Sequence, residues 1–134
     1  MDPARKRVAL TVIIMAWAVV GGGLLGGVGW WLFPRFAPQW AGRMADRITV
    51  LRRPIAARLY AYGSAEMMAG VDRNGTPDGL AHYQKAYHPL DEAYRLYVEL
   101  SEAQPDDRFL QDRLLECAKF RYGAHQGVGM EVPP

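Results

Sequence analysis

From Val8 to Phe33 the chain carries no charged residue: VALTVIIMAWAVVGGGLLGGVGWWLF, 26 residues whose one side-chain hydroxyl is Thr11. As a helix such a run rises roughly 39 Å, against a bilayer hydrocarbon core of about 30 Å. The core helix of a water-soluble domain shows a polar face, and this run shows none. A secretory leader also opens on basic residues such as Arg5, Lys6 and Arg7. Its apolar part, however, spans only about 7–15 residues and ends at a small-x-small site. Here Trp30, Trp31, Phe33 and Phe36 close the run instead, and tryptophan gathers where hydrocarbon meets water. The expectation is a short basic tail over 1–7 and an uncleaved signal anchor, a single transmembrane helix, over 8–33.

Glycine crowds the second half of that helix, with six in the nine residues from Gly21 to Gly29. Each is about 1 kcal/mol worse than alanine in a helix, a poor choice for a helix surrounded by lipid alone. Gly22 and Gly26, and Gly23 and Gly27, stand at GxxxG spacing, and Ala18 extends the first stripe by a turn. Small residues on one face let the backbone of another helix approach closely. Ala18, Gly22, Gly23, Gly26 and Gly27 are therefore the candidate packing face, for a second copy or for the helices of a larger assembly. The span holds no His, Cys, Asp, Glu, Lys or Arg, so it offers neither an intramembrane proton relay nor an axial histidine for a haem.

Three cations precede the span, and Arg35, Arg43, Arg47, Arg52, Arg53 and Arg58 follow it. The flanks nearly balance under the positive-inside rule; the short basic N-terminus favours N-inside, C-outside. Pro34 and Pro38 are expected to break the span's helix. From Gln39 to Tyr62, apolar residues recur at steps of three and four (Trp40, Met44, Ile48, Leu51, Ile55, Leu59, Tyr62), with arginines between them and Pro54 marking a kink or a second helix. Residues 34–70 thus read as a basic amphipathic segment, six arginines against Asp46 and Glu66. Such a segment can lie in the membrane interface, pack on a partner or belong to the core of the domain that follows. Trp30, Trp31, Arg35, Trp40, Arg43, Arg47, Arg52 and Arg53 are the candidate interface residues.

Residues 71–134 reverse the charge, eleven acidic against seven basic. The whole-chain averages, a net charge of +2 and a mean hydropathy of −0.14, are cancellations between unlike parts. VDRNGTP over 71–77 is expected to be a loop; a calcium-loop reading fails, because Pro77 and Tyr83 stand where a glycine and a bidentate glutamate are needed. Helices are expected over Gly79–Tyr87, from Pro89 to before Pro105, and from Asp106 or Asp107 to Gly123, the last with a stripe of Leu110, Leu114, Cys117 and Phe120. The tail GVGMEVPP shows no pattern.

The stretch EAYRLYVELSEAQPDD resembles the second helix of a tetratricopeptide repeat: Ala93, Tyr97 and Pro105 fall at that repeat's small, aromatic and proline positions, and Leu80 at a first-helix position. The first helix's glycine and aromatic positions are not matched. Over about 79–122 the resemblance implies a helical hairpin and protein–protein contact; a generic hairpin is the alternative. Tyr83, Tyr87, Tyr94 and Tyr97 are the candidate partner-binding residues, tyrosine being enriched at interface hot spots.

Chemistry has little to work with. His82, His88 and His125 are scattered, Cys117 sits on an apolar stripe, and no phosphate loop, dinucleotide fingerprint or metal-ligand spacing occurs. The expectation is an all-α chain, not an enzyme, with no cofactor, no metal, no nucleic-acid partner and no small-molecule substrate. Its partners would be the bilayer and other integral-membrane subunits, as of a respiratory or photosynthetic complex in which it is an accessory subunit; the alternative is a membrane-anchored, repeat-like adaptor that recruits a soluble protein. Thirteen arginines to three lysines suit a GC-rich bacterial genome, hence an inner membrane with the helical domain periplasmic.

Overall fold

The structure, a computed structural model, describes residues 2–129; Met130–Pro134, most of the expected tail, lie outside the described residues. The described chain is all-α, without a strand: α1 (Pro3–Phe36), α2 (Pro38–Arg47), a 3-10 turn (Thr49–Leu51), α3 (Arg52–Asp72), α4 (Pro77–Ala103) and α5 (Arg108–Gly127). It divides into two units, meeting in sequence after Leu32.

The first unit is α1 up to Leu32. Asp2 Oδ1 accepts from the Ala4 amide at 3.2 Å, and Pro3 takes the first helical position, where an N–H would lack an intrahelical partner anyway. The lone hydroxyl of the apolar run, Thr11 Oγ1, donates to the Arg7 carbonyl at 2.9 Å, so no polar side chain of the run is left unbonded. The helix is long and apolar enough to cross a membrane, with a mean hydropathy of 2.3 in its most apolar window and none of that window buried.

Pro34 does not break the helix, contrary to expectation. It lies in the last turn, where a proline forgoes one backbone bond, and its buried ring packs into the second unit's core. The break comes at Ala37, whose φ of −145° reflects the bias of a residue before proline against helix.

The second unit is a bundle of α2–α5. The segment from 39 to 62, expected to kink or to form two helices, divides at Ile48, which is extended, and Pro54 sits inside the first turn of the second helix, α3. Arg73–Thr76 form the expected loop. Gly75 there adopts φ +81°, a backbone region that other residues enter only at a cost. Thr76 Oγ1 caps α4 through the Gly79 amide at 3.1 Å, and Asp107 Oδ1 caps α5 through the Leu110 amide at 3.3 Å, satisfying otherwise orphaned donors.

Pro89 likewise starts no new helix. α4 runs through it for 27 residues: the one intrahelical bond it forgoes is outweighed by burying Ala86, Pro89, Leu90 and Ala93 on the neighbouring helices. The helix pair expected within 79–103 is therefore one helix, and the repeat-like hairpin reduces to α4 and α5. Gly123 does not end α5 either; the helix continues to Gly127, and Met67 packs where a Gly123 side chain would stand.

α3 and α4 share the largest interface, and its register is antiparallel. Gly70 faces the Tyr83 ring, and seven residues along each helix Gly63 faces Leu90. One more step of seven brings Ala56 level with Tyr97, both fully buried. At Gly70 and Gly63 a large residue of α4 thus meets a small one of α3, which interdigitates the two helices there like a knob in its hole, while Tyr97 meets the edge of the Tyr60 ring. α5 lies antiparallel on α4, with Leu110, Cys117 and Ala124 inward. Full burial of Leu59, Leu90, Leu96 and Leu110 contributes about 1.5–3 kcal/mol each.

Candidate functional site

In the first unit, the glycine face is open. A Cβ added at Gly21, Gly22, Gly23, Gly26, Gly27 or Gly29 would find nothing within 4 Å. Gly23 and Gly27 floor a shallow apolar groove walled by Leu24, Val28, Trp31 and Leu32. Ala18 is exposed on the same helix, and Trp30 and Trp31 are exposed at its end.

The basic segment behaves differently along its length. α2 buries Ala41, Gly42 and Ala45, not the Trp40–Met44–Ile48 stripe: small residues let α2 approach α4 so closely that a Cβ on Gly42 would strike the Glu92 carboxylate. Trp40, Arg43, Arg47, Ile48 and Val50 are exposed as a result. Arg52, half-buried, and Arg53, exposed, both make contacts with the bundle. Arg52 Nε donates to the Ala45 carbonyl at 3.3 Å and stands 3.9 Å from Glu99. Arg53 pairs with Asp107 at 3.3 Å and lies over the Phe109 ring.

Arg95 ties α2 to α4. Its Nη1 donates to Asp46 at 3.0 Å and to Glu99 at 3.1 Å, and its Nη2 to Glu92 at 2.9 Å. Burial pulls its pKa down, but the Asp46 and Glu92 carboxylates outweigh that and hold it above the ordinary arginine value.

Beside α2 lies a groove of about 360 Å³ lined by Arg35 and Phe36 from the last turn of α1, Pro38 and Gln39 from the first turn of α2, and Gln84, Lys85, His88 and Pro89 from α4. No carboxylate lines it. Arg35, Lys85 and His88 are exposed, and among the described residues none of the three forms an ion pair. α2 starts without a side-chain cap.

The histidines are not brought together. His82 Nδ1 lies 2.5 Å from Glu66 Oε2, with Arg73 Nη1 3.3 Å from its Nε2. Arginine only donates, so Nε2 accepts and Nδ1–H donates to Glu66. His125, 1% exposed, pairs through Nε2 with Asp91 Oδ1 at 2.7 Å, and Arg121 Nε donates to the same oxygen at 2.8 Å. Both arrangements tie helix to helix in the bundle. Sequence reasoning missed this second cluster. Its signal was the i, i+4, i+8 series Cys117, Arg121, His125, one face of α5. Cys117 donates to the Leu90 carbonyl at 3.7 Å, and burial pushes its thiol up to about 12, the opposite of an activated nucleophile. Among the described residues no three of His, Cys, Asp and Glu group so as to hold a metal.

Of the candidate partner tyrosines, Tyr83 and Tyr97 are buried in the bundle's core, and Tyr83 also lines a pocket beside the loop at 74–77. Tyr87 and Tyr94 are half-buried, Tyr87 against His125 and Tyr94 under the Arg121 guanidinium. The exposed apolar side chains of α5 are Phe109, Leu115 and Tyr122. Comparison with protein-family models, curated proteins and solved structures finds no match for this chain.

Proposed function

We propose that this chain is a non-catalytic accessory subunit of a larger integral-membrane complex, anchored by α1 with the helical bundle on the far side of a bacterial inner membrane. The observation that carries the reading is a contrast between two sets of glycines. In the bundle, Gly42, Gly63, Gly70, Gly123 and Gly127 each lie against a side chain from another helix. In α1, six glycines lie against nothing, although each lowers helix stability by about 1 kcal/mol. A neighbouring transmembrane helix would supply the missing contact and offset that loss. Purification of the full chain from its native membrane in mild detergent tests the proposal. Other integral-membrane proteins should come with it, and substituting Gly22 and Gly26 by leucine should release them while the bundle stays folded. A chain that is monomeric and alone in mild detergent would refute it.

A second reading, a membrane-anchored adaptor, draws on the bundle having its own core and on exposed Leu115 and Tyr122, seven residues apart on α5. An adaptor would bring down a soluble protein through that face, and Leu115→Glu would abolish the capture with the glycine face intact.

A further inference from the structure

We propose that the groove between the end of α1, the start of α2 and the middle of α4 holds the phosphate of an anionic phospholipid headgroup; the inference rests on α1 spanning a membrane. Three features meet there. The first is charge: Arg35, Lys85 and His88 line the groove, carboxylates are absent from its lining, and Gln39 and Gln84 add neutral amides that can donate. Cationic side chains that converge on a cavity without a counter-charge suit a phosphate. The second is level. Arg35 follows Phe33, the last residue of the apolar run, by two positions of one continuous helix, a rise of roughly 3 Å. That places Arg35 where the headgroups of a bilayer begin, with the exposed Phe36 next to it in the same turn. The third is the apolar component: Phe36, Pro38 and Pro89 line the same groove and suit the glycerol and upper acyl carbons that a lipid phosphate carries with it, which a free anion lacks. Lys85 and His88 reach this level because α4 runs straight through Pro89 and packs beside α2; a helix broken there would not present them with Arg35.

The site would bind lipid by combining Arg35 from the end of α1 with Lys85 and the His88 ring from α4. Lys85 and His88 are exposed, so replacing them should leave the fold intact, which circular dichroism of each variant checks.

The test uses the full chain reconstituted in nanodiscs and in vesicles. Alkaline carbonate extraction is done first. A chain that washes off vesicles refutes the membrane reading itself, and the lipid site with it. For a chain that stays, lipids retained after detergent extraction are identified by native mass spectrometry from mixtures of phosphatidylglycerol and phosphatidylcholine. Retention of phosphatidylglycerol over phosphatidylcholine is expected. Lys85→Gln and Arg35→Gln should each weaken it about fivefold, the effect of removing one cation near an anionic surface, while Lys119→Gln on α5 should not. Equal retention of the two lipids, or a preference untouched by Lys85→Gln and Arg35→Gln together, would overturn the headgroup site while leaving the span standing. Full displacement of the lipid by inorganic phosphate would assign the groove to a free anion and overturn the lipid assignment.

Discussion

Gly63 is where the bundle is most sensitive to a single carbon. Gly63→Ala sets two effects against each other. Alanine is better than glycine inside a helix by about 0.8–1.0 kcal/mol. The new Cβ, however, would stand 2.6 Å from Leu90 Cγ and 2.8 Å from its Cδ2, where carbons settle at about 3.5–4.0 Å. Relief needs a movement of about 1 Å, and Leu90 is fully buried, with Cys117 behind its backbone. Overpacking of this kind costs about 1–3 kcal/mol, so the net effect should be a loss of about 1 kcal/mol. Leu90→Ala alone should lose about 2–5 kcal/mol by opening a cavity. In that background the clash is gone, and Gly63→Ala should become stabilising by about 1 kcal/mol or slightly more, as helix propensity acts unopposed and the added methyl fills space. The assay is urea unfolding of the full chain in mild detergent, following the bundle's transition by circular dichroism for all four members of the cycle. An alanine at 63 that stabilises equally in both backgrounds would refute the interdigitated register.

The remaining predictions concern charge and capping. Burial raises Cys117 from 9.0 to about 12 and Tyr97 from 10.0 to about 12. The folded state therefore keeps protons that the unfolded chain releases, and stability should hold below pH 9 and fall as pH rises from there towards 12, by up to about 1.4 kcal/mol per unit for each group. Unfolding midpoints measured across that range should show a first decline, between 9 and 10, that Cys117→Ala removes; an unchanged slope in the variant would disprove the assignment. Arg95→Met should loosen α2 from α4, with a loss of about 1 kcal/mol that shrinks in high salt, since the pairs are partly exposed; amide hydrogen exchange confined to α2 reads it. Asp107→Ala should cost about 1 kcal/mol by uncapping α5 and releasing Arg53, seen as a lower melting temperature that Asp107→Asn or Ser largely restores.

The all-α class, the apolar helix near the N-terminus, the loop at 73–76 and the Asp107 cap were legible because each rests on neighbouring residues. The proline breaks were misjudged for one shared reason. Proline's local effect is the loss of one hydrogen bond, and at Pro34 and Pro89 tertiary packing buries the ring and overrides it, whereas at Pro38, which is only half-buried, the preceding Ala37 leaves the helical region. The amphipathic stripe of 39–62 misled in a related manner. Periodicity selects the larger apolar residues, Trp40 and Ile48, yet α2 packs through Ala41, Gly42 and Ala45, because Arg95 bridges to Asp46 only at close range. The pairs His125–Asp91 and His82–Glu66 join residues far apart in sequence, and only the register of the helices brings them together.

Glycine was the most informative residue and the one read least completely. In the span its GxxxG spacing was plain, whereas the heptad step from Gly63 to Gly70 passed unnoticed, since two glycines seven apart resemble no motif until Leu90 and Tyr83 are set opposite them. Once they are, the bundle shows what Gly42, Gly63, Gly70, Gly123 and Gly127 are for: each makes room for a specific side chain from another helix. α1 carries a denser set of the same residue with the same helical periodicity. Neither the loop residues nor the exposed faces of α3–α5 use glycine in that fashion. The proposed subunit role grows out of that contrast: a neighbouring helix that met α1 would insert side chains of the kind α4 supplies to α3, as Leu90 and Tyr83 do at Gly63 and Gly70.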